Sequence, residues 1–547
     1  MDMNPHLHGP KHAAASGQVS MMLVATVSSV VLVVLLSVAL WRMQTHTNSK
    51  GSSGKQNQTG GDDTDSIFVY CAAGMRYPME QIAKRYQTEF GVTIEVQYGG
   101  SNTLLNQLQV SKTGDLYLAA DEFYIDLARK KNLLAEAIPL SRMRPVIVVS
   151  PKYESEINSV DDLVQQQVKL ALGDPGSAAV GKKVRRLLQS VNKWDAVEEL
   201  ARNRGVFKPT VNEVANAVKI GSVDAGVVWD STAAQYPQLK VVAVDEFDAG
   251  DSMVQIGVLQ STQNPASALH FARYVAAFDR GLDAFRSKGF RTVEGDLWED
   301  HPRLTFFAGT INRRALEPVV REFEKREGVK INTVFNGCGI LTATMRTMKQ
   351  ESQSGFPDAY MACDVYYLDT VRNWFQENTL VTESEVVIVV QKGNPKGIQS
   401  LKDLIRNGIR VAVGHPKQCT IGVLSKVLLE ESGVYQKCKQ DNVVTETATS
   451  ALLVPAVMTG AADAALAYRT DTMAETSRID VVYIKSDKAK AVQPFAIART
   501  SPHKELARRL FFKIAQSKEV FEQNGFQWLL RETSRSREHD QTEVRRS

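Results

Sequence analysis

The fold of this chain is decided by a stretch near its start, AAGMRYPMEQIAKRYQTEFGVTIEV, which occupies residues 72–96. The stretch joins a short apolar run, Ile67–Ala72, to a helical pattern over Met79–Phe90 and a second strand pattern over Val92–Tyr98. This strand–helix–strand order predicts parallel strands joined by a crossover helix, and therefore an α/β fold. Further buried strands are predicted at Val146–Ser150, Val168–Leu172, Ala225–Val228 and Thr305–Ala308.

The same stretch has a second copy later in the chain, AGTINRRALEPVVREFEKREGVKINTV at residues 308–334. Four more matches follow in the same order: YGGSN with FNGCG, DLYLAADEFY with DAYMACDVYY, LGDPGSAAVG with VGHPKQCTIG, and GSVDAGVVWDSTA with GAADAALAYRTDT. Chance produces one such pair easily, but not five in order. We predict two homologous domains, residues 66–300 and 301–530, each large enough for two lobes with a cleft between them.

The two ends of the chain differ from this body. Residues 21–41 are an uncharged run rich in Val and Leu, long enough as a helix of about 1.5 Å rise per residue to cross a hydrocarbon core of roughly 30 Å. We predict an uncleaved signal anchor with residues 1–20 in the cytoplasm, and a cleaved signal peptide is the alternative. Residues 42–65 are predicted to form a flexible linker, and residues 531–547 a charged tail.

Composition excludes several classes of protein. The net charge of +4 is small for 547 residues, and no basic block with interleaved aromatic residues is present, so nucleic acid is not an expected partner. The five cysteines stand far apart, at positions 71, 338, 363, 419 and 438, without a CxxC motif. This spacing does not predict a zinc ribbon, and it leaves disulfide pairing open.

The distinctive positions lie at strand-to-helix turns. Gly74 and Thr310 occupy such a turn at the start of each repeat, and Ser101 follows Gly99 and Gly100 after the second strand. Small residues let backbone amides approach a ligand, and a helix N-terminus carries unpaired N–H groups with a partial positive charge. One such turn is usually an ordinary connection, but several that converge on one cleft predict an anion site built from neutral dipoles.

No enzyme motif accompanies these turns. The sequence has no G-x-S-x-G, P-loop, H-E-x-x-H or Rossmann glycine motif in context, so we predict that the protein is not an enzyme and needs no cofactor. His415, Cys419, Cys338 and Cys363 fall in turns of the second repeat. They could bind a soft metal, or cysteine could simply be a small residue tolerated there.

Over residues 66–530 the chain resembles the molybdate-binding proteins of bacterial ABC transporters. Their motifs run roughly AAASLTDAL, GGSG, ADVF with SAD, GDP followed by AG, and DAGIVY followed by DA, in the order of the five repeated segments quoted above. The resemblance implies tandem periplasmic-binding domains of type 2, each with two α/β lobes and a hinge. It also implies a tetrahedral dianion held by hydroxyl and backbone N–H groups, including a Tyr hydroxyl.

Carried over to the first domain, the resemblance gives an incomplete set of donors. Ser101 keeps the second-turn hydroxyl, whereas Gly74 stands where the family has its first-turn serine and Trp229 where it has tyrosine. Val180 and Val211 fall where the family uses backbone N–H groups. The first domain is therefore expected to lack two of the family's hydroxyls.

The second domain departs from the family at a different position. Thr310 and Tyr468 keep the first-turn hydroxyl and the phenol, but Cys338 replaces the second-turn serine with a weaker donor. Ile421 and Ser450 fall at the backbone positions. The basic residues Arg76, Arg142, Arg313 and Lys417 could add charge near the two sites or be ordinary surface residues.

The sequence as a whole predicts an extracytoplasmic binding protein that captures molybdate or tungstate and passes it to an ABC permease. The protein would be single-pass in the cytoplasmic membrane through residues 21–41, with its binding domains facing the periplasm or cell exterior. Two alternatives remain open: a site for another anion or a metal, and a sensory or interaction protein whose binding domains have degenerated.

Overall fold

The computed structural model describes residues 66–351 and 354–531. The opening stretch folds as predicted, with a strand over Ser66–Ala72, a helix over Arg76–Phe90 and a strand over Thr93–Gly99. The helix ends at Gly91, whose φ of 73° lies in the left-handed region that glycine adopts without strain. Gly328 ends the matching helix of the second copy with φ of 67°.

The first domain contains two sheets. Its strands are β1 Ser66–Ala72, β2 Thr93–Gly99, β3 Leu116–Ala119, β4 Leu134–Met143, β5 Pro145–Val149, β6 Leu170–Gly173, β7 Val206–Lys208, β8 Ala225–Trp229, β9 Lys240–Val242, β10 Ser252–Leu259 and β11 Arg291–Thr292. A six-stranded sheet in the order β11-β4-β10-β3-β1-β2 forms the first lobe, and a five-stranded sheet in the order β7-β6-β8-β5-β9 forms the second lobe.

The second domain repeats this plan with one continuous sheet. Its strands are β12 Arg303–Gly309, β13 Lys330–Asn336, β14 Ala359–Met361, β15 Phe375–Gln391, β16 Val411–Gly414, β17 Val443–Thr447, β18 Ala464–Tyr468, β19 Ile479–Tyr483, β20 Lys490–Ala498 and β21 Gln527–Trp528. Strand β15 pairs with β20 through residues 375–385, in the first lobe, and with β18 and β19 through residues 386–391, in the second lobe. One strand therefore belongs to both lobes.

Helices cover the sheets and connect the parallel strands. In the first domain they span Arg76–Phe90, Ser101–Ser111, Glu122–Lys130, Val160–Gln165, Ala179–Ser190, Trp194–Arg204, Val211–Lys219, Asp230–Ala233, Pro265–Ala276 and Gly281–Ser287. In the second they span Arg313–Glu327, Cys338–Gln350, Val365–Asp369, Thr420–Glu431, Tyr435–Lys437, Leu453–Met458, Arg469–Thr472, Lys504–Ala515 and Lys518–Gln523. Short 3-10 turns at Ala73–Met75 and Thr310–Asn312 link the first strand of each domain to its helix.

Each domain has its own hydrophobic core. One cluster of buried side chains runs from Ile67 to Phe290 and the other from Leu304 to Phe526. The strands that carry these cores are almost wholly apolar, as expected for parallel strands covered on both faces. β8 and β18, for example, are buried at every position. The two repeats of the sequence are thus two separately packed domains.

The first lobes of the two domains are joined by buried charges. The Glu327 carboxylate, at the end of one helix, accepts hydrogen bonds from Arg509 Nε at 2.7 Å and Nη2 at 3.1 Å. Arg273 of the first domain donates through Nη1 to the Glu327 backbone oxygen at 2.6 Å and to its carboxylate at 3.3 Å. The side chains of Arg273, Glu327 and Arg509 are only 9 %, 2 % and 8 % exposed. Burial disfavours the charge of Glu327, but the two arginines together hold its pKa below the usual value.

Two further contacts reinforce this junction. The Arg326 guanidinium forms an ion pair with the Glu136 carboxylate of the first domain. The Asp296 carboxylate accepts hydrogen bonds from the Glu505 amide at 2.8 Å and the Leu506 amide at 2.9 Å, and so caps the helix Lys504–Ala515. Segments of the first domain therefore support a helix of the second.

Several sequence predictions fall outside the described residues. These are the cytoplasmic segment 1–20, the anchor 21–41, the linker 42–65 and all of the charged tail beyond Arg531. Within residues 66–351 and 354–531, no helix has the length and apolar character needed to cross a membrane.

We expect Glu327→Gln to destabilise the junction strongly. Removing the carboxylate takes the hydrogen-bonded counter-charge away from two buried guanidinium groups, which costs about 3–5 kcal/mol. Glu322→Gln is the matched control, because Glu322 lies on the same helix and pairs with Lys513 at 2.6 Å in an exposed position, where an ion pair contributes about 0–1 kcal/mol. Chemical denaturation of both variants measures the difference, and equal midpoints would contradict this account of the junction.

Candidate functional site

The two lobes of the first domain touch through polar backbone contacts. The Asn102 amide donates to the Ser177 carbonyl at 3.2 Å, and its side chain donates to the Gly176 carbonyl at 2.7 Å. From the second lobe, the Asn212 side chain donates to the Ala73 carbonyl at 3.1 Å. The cleft between the lobes is therefore closed.

The second domain is closed in the same way. The amides of Gly339 and Ile340 both donate to the Gln418 carbonyl, at 3.0 and 3.3 Å. These amides lie in the first turn of the helix Cys338–Gln350, and Gln418 belongs to the loop before the helix Thr420–Glu431. Turns that the sequence repeat placed in corresponding positions thus meet across each cleft.

Glycine is required at these contacts because backbone meets backbone. A Cβ atom on Gly100 would lie 2.5 Å from the Ser177 oxygen and 2.7 Å from the Pro209 oxygen. A Cβ atom on Gly337 would lie 2.4 Å from the Ala448 oxygen and 2.5 Å from the Gln418 oxygen. Real Cβ atoms do not approach carbonyl oxygens so closely, so any larger residue would hold the lobes apart.

The structure brings three predicted residues of the first domain together. A Cβ atom on Gly74 would lie 3.2 Å from Val211 Cγ1 and 3.9 Å from Trp229 Cδ1. Ser101 is buried at the start of its helix, where its Oγ accepts a hydrogen bond from the Ala120 amide at 3.2 Å. Val180 lies in the first turn of the helix Ala179–Ser190, just after the loop that contacts the first lobe.

Two polar groups that the sequence analysis missed line the same place. Thr232 is buried with its Oγ1 unpartnered, and that atom would lie 3.6 Å from a Cβ atom on Gly74. The Asn212 side-chain oxygen is also buried without a partner. Thr232 comes three residues after Trp229, which is about one helical turn. This spacing could have indicated from the sequence that Thr232 lies near the site. These groups supply some of the polarity that Gly74 and Trp229 lack.

An ion pair also spans this cleft. Lys183 of the second lobe lies 2.9 Å from the Asp121 carboxylate and 3.7 Å from the Glu122 carboxylate, both of the first lobe. Asp121 also accepts a hydrogen bond from the Ser252 hydroxyl at 2.8 Å. Leu424 occupies the position of Lys183 in the second repeat, so the second domain lacks the lysine of this ion pair.

The predicted residues of the second domain line a pocket of hydroxyls and thiols. Cys338, Ile421, Ser450 and Tyr468 are buried, and Thr310 is half-buried in the turn after β12. Ile421 stands in the first turn of the helix Thr420–Glu431, whose first amides have no partner within the helix. The Ser450 and Tyr468 hydroxyls are buried without a hydrogen-bond partner. Each is therefore available to a ligand.

Sequence reasoning missed Tyr360 and Thr420 as members of this pocket, and it named Cys363 only as a possible metal ligand. The hydroxyls of Tyr360 and Thr420 are buried and unpartnered, and the Cys363 thiol lies 2.8 Å from the Cys338 thiol. Burial raises the pKa of Tyr468, and the nearby Cys363 and Cys419 thiols raise it further, which places all three side chains in one region. Cys363 lies in the repeated segment DAYMACDVYY, where it aligns with Ala120 of the first repeat. This alignment could have indicated from the sequence that Cys363 lies at the site.

The second pocket contains a carboxyl group where the first has a hydroxyl. Asp471 occupies the repeat position of Thr232, next to the Ser450 hydroxyl, and its Oδ2 atom is buried without a partner. Burial raises the pKa of Asp471 to about 6, although Ser450 and, at longer range, Arg314 lower it. Near neutral pH this group therefore changes between a neutral donor and a negative charge.

The suggested soft-metal site does not form. In the part of the chain that the structure describes, no group of three or more His, Cys, Asp and Glu side chains is arranged to hold a metal ion. The His415 ring is directed toward Glu446, at 3.9 Å. Of the basic residues considered, Arg76 and Arg313 lie at the surface and pair with Glu80 and Glu317.

Comparison with known proteins identifies the family pattern. The family model described as bacterial extracellular solute-binding protein matches this chain twice, over residues 67–291 and 304–527. A provisionally named binding protein of Haemophilus influenzae is 27 % identical over 225 residues, which cover 41 % of this chain and 90 % of that protein. The molybdate-binding protein ModA of Escherichia coli is 25 % identical over 236 residues, 42 % of this chain and 90 % of that protein.

The solved structures that match are more distant in sequence. The periplasmic molybdate-binding protein of Azotobacter vinelandii is 15 % identical, covers 41 % of this chain and 98 % of its own length, and has a TM-score of 0.36. The sulfate-binding protein SubI of Mycobacterium tuberculosis is 19 % identical, covers 41 % and 86 %, and has a TM-score of 0.35.

We expect Gly100→Ala and Gly337→Ala to open one cleft each. The added methyl would displace opposing carbonyl groups, at a cost of about 1–3 kcal/mol, so the interlobe amides would lose protection. Hydrogen–deuterium exchange should then be faster at Asn102 in the first variant, and at Gly339 and Ile340 in the second.

Gly99→Ala is the matched control, because the three atoms nearest to a Cβ atom there all belong to the Leu104 side chain, at 3.1 Å and beyond, and not to the second lobe. The unmodified domain of each variant serves as an internal reference. Unchanged exchange at the interlobe amides in both glycine variants would show that closure does not depend on these contacts.

Proposed function

This chain belongs to the bacterial extracellular solute-binding protein family, and we propose that its clefts capture a tetrahedral oxyanion, molybdate or tungstate, for an ABC permease. The observation that carries the proposal is the set of buried, unpartnered hydroxyls in the closed second cleft: Tyr360, Thr420, Ser450 and Tyr468. A buried hydroxyl without a partner costs free energy, so a ligand that accepts hydrogen bonds would stabilise this pocket. Binding would involve hinge closure and no chemical step.

The two clefts offer different donors to such an anion. The first supplies Ser101, Thr232 and the backbone amides near Gly74, Val180 and Val211. The second supplies phenol and aliphatic hydroxyls but has thiols at Cys338 and Cys363. Similarity to molybdate-binding relatives supports the choice of ligand, and the differences between the sites favour unequal affinities.

We also propose that the domains work outside the cytoplasmic membrane. Residues 21–41 would anchor the chain and residues 42–65 would tether the domains to the anchor. The permease would receive the anion when a cleft reopens beside it. Another anion, or a sensory role without transport, remains an outcome of the tests below.

Calorimetry of the full chain in detergent with molybdate, tungstate, sulfate and phosphate tests the ligand. We expect heat with molybdate or tungstate, and Tyr468→Phe should weaken the second site by roughly 10–100-fold, because a hydrogen bond to a charged group contributes about 1.5–3 kcal/mol. Tyr483→Phe is the control, since Tyr483 is exposed. Absence of heat with both metal oxyanions would rule out the proposed ligand.

We expect anion binding at the second site to weaken as pH rises through about 6. Below this pH the Asp471 carboxyl is neutral and can donate a hydrogen bond, whereas above it the carboxylate repels the anion. Titrations between about pH 5 and pH 8 measure the effect. Asp471→Asn should remove it, and Glu475→Gln, in the loop after this short helix, is the control. A dependence that survives Asp471→Asn would assign it to another group.

A further inference from the structure

Cysteine in this chain is concentrated at one pocket. Three of the five cysteines lie at turns that face the second cleft: Cys338 at the start of a helix, Cys363 after β14, and Cys419 before the helix Thr420–Glu431. The aligned positions of the first domain hold Ser101, Ala120 and Ala178. At these three positions, cysteine is therefore present in the second domain and not in the first.

Two of these thiols are in direct contact. Cys338 Sγ lies 2.8 Å from Cys363 Sγ, and the Cys363 amide donates to Cys338 Sγ at 3.1 Å. Ser101 and Ala120 make the equivalent amide contact in the first domain, at 3.2 Å. The repeat therefore preserves the backbone geometry and replaces a hydroxyl and a methyl group with two sulfur atoms.

A glycine makes room for this pair. A Cβ atom on Gly309 would lie 2.2 Å from Cys363 Sγ and 2.8 Å from Cys338 Sγ. The aligned residue of the first domain is Ala73, where no such sulfur atoms are present. In the second domain, the glycine thus provides the space that the two cysteine sulfur atoms occupy.

The surroundings favour Cys338 as the reactive thiol. Burial raises the pKa of Cys363 well above its usual value. Burial also opposes ionisation of Cys338, but its hydrogen bonds with the Cys363 thiol and amide hold its pKa below the usual value. The Cys419 thiol instead faces the His415 and Thr447 carbonyls, at 3.7 and 3.5 Å, so it is held to its own lobe.

We propose that Cys338 and Cys363 are a modification site, a dithiol that oxidises reversibly to a disulfide and thereby lowers the anion affinity of the second cleft. The oxidant is a low-molecular-weight disulfide. The Cys338 thiolate attacks one of its sulfur atoms and releases a thiolate; the Cys363 thiolate then attacks Cys338 Sγ and releases a second. Two S–H bonds are lost, one S–S bond forms, and the oxidant is reduced to two thiols.

The effect on binding rests on the proposed function. Oxidation removes the S–H donors from a position where the first domain has the Ser101 hydroxyl, so the second site alone should respond. Because the Gln418 loop of the second lobe covers the start of the Cys338 helix, the oxidant reaches Cys338 only when the cleft is open. A bound anion should therefore slow the oxidation.

Peptide mapping of the full chain tests the dithiol without any ligand. After treatment with oxidised glutathione and alkylation of the remaining thiols, we expect a peptide pair joined through Cys338 and Cys363, which dithiothreitol separates. Cys363→Ala, which copies the first domain, should abolish this link, whereas Cys438→Ala, at a buried site elsewhere, should retain it. Circular dichroism confirms that each variant is folded.

Calorimetry with molybdate then compares the oxidised and reduced chains. We expect about tenfold weaker binding at the second site on oxidation, and no effect of the oxidant on the Cys338→Ser variant, which lacks the attacking thiolate and copies Ser101 of the first domain. Free thiols after oxidation, or a link from Cys419, would overturn the inference, as would equal affinities in the two states. Mapping needs no anion, so failure of molybdate to bind would refute the proposed function and leave the disulfide result standing.

Discussion

Both domains depend on one geometric constraint, namely that backbone of one lobe must come within contact of backbone of the other. Gly100 and Gly337 meet carbonyl oxygens of the second lobe at distances that exclude any side chain. Only this approach brings turns from two lobes around one small volume and removes water from it. Donors in such a volume act on a ligand more strongly than they would in solvent. The hydroxyls, amides and thiols of each pocket matter because the glycines allow the lobes to close over them.

The two repeats share this closed arrangement of lobes but differ in the side chains that line the clefts. Val211 and Trp229 pack around Gly74 in the first cleft, and Thr232 adds a hydroxyl there. In the second cleft Tyr468 keeps its phenol, while Asp471 takes the place of Thr232. These differences concern single side chains at the ends of strands, where substitution does not disturb the hydrophobic cores. Divergence of the two sites therefore required little change in the fold.

Much of this architecture could be predicted from the sequence, because many of its elements depend on residues that are close together in the chain. The strands, the helix after each first strand and the glycine turns follow from apolar periodicity and short motifs. Strand β15 could not be predicted, since its continuity through both lobes depends on pairing with β18 and β20, far away in the chain. The ion pairs of Glu327 with Arg273 and Arg509 could not be predicted either, because these residues are also far apart in the chain. Thr232 and Asp471 were missed because they lie one helical turn beyond the aligned aromatic residue. Whether the predicted set of residues binds an anion stays a prediction.

The buried charges between the domains fix the first lobe of one to the first lobe of the other and leave both second lobes outside the junction. Two clefts are therefore held on one connected pair of first lobes. Under the proposed function, a permease that binds these first lobes would meet the second cleft together with the first, at a local concentration set by the separation of the two clefts. Each encounter would then deliver zero, one or two anions, so the tandem arrangement would make the amount delivered depend on how many of the two clefts are occupied.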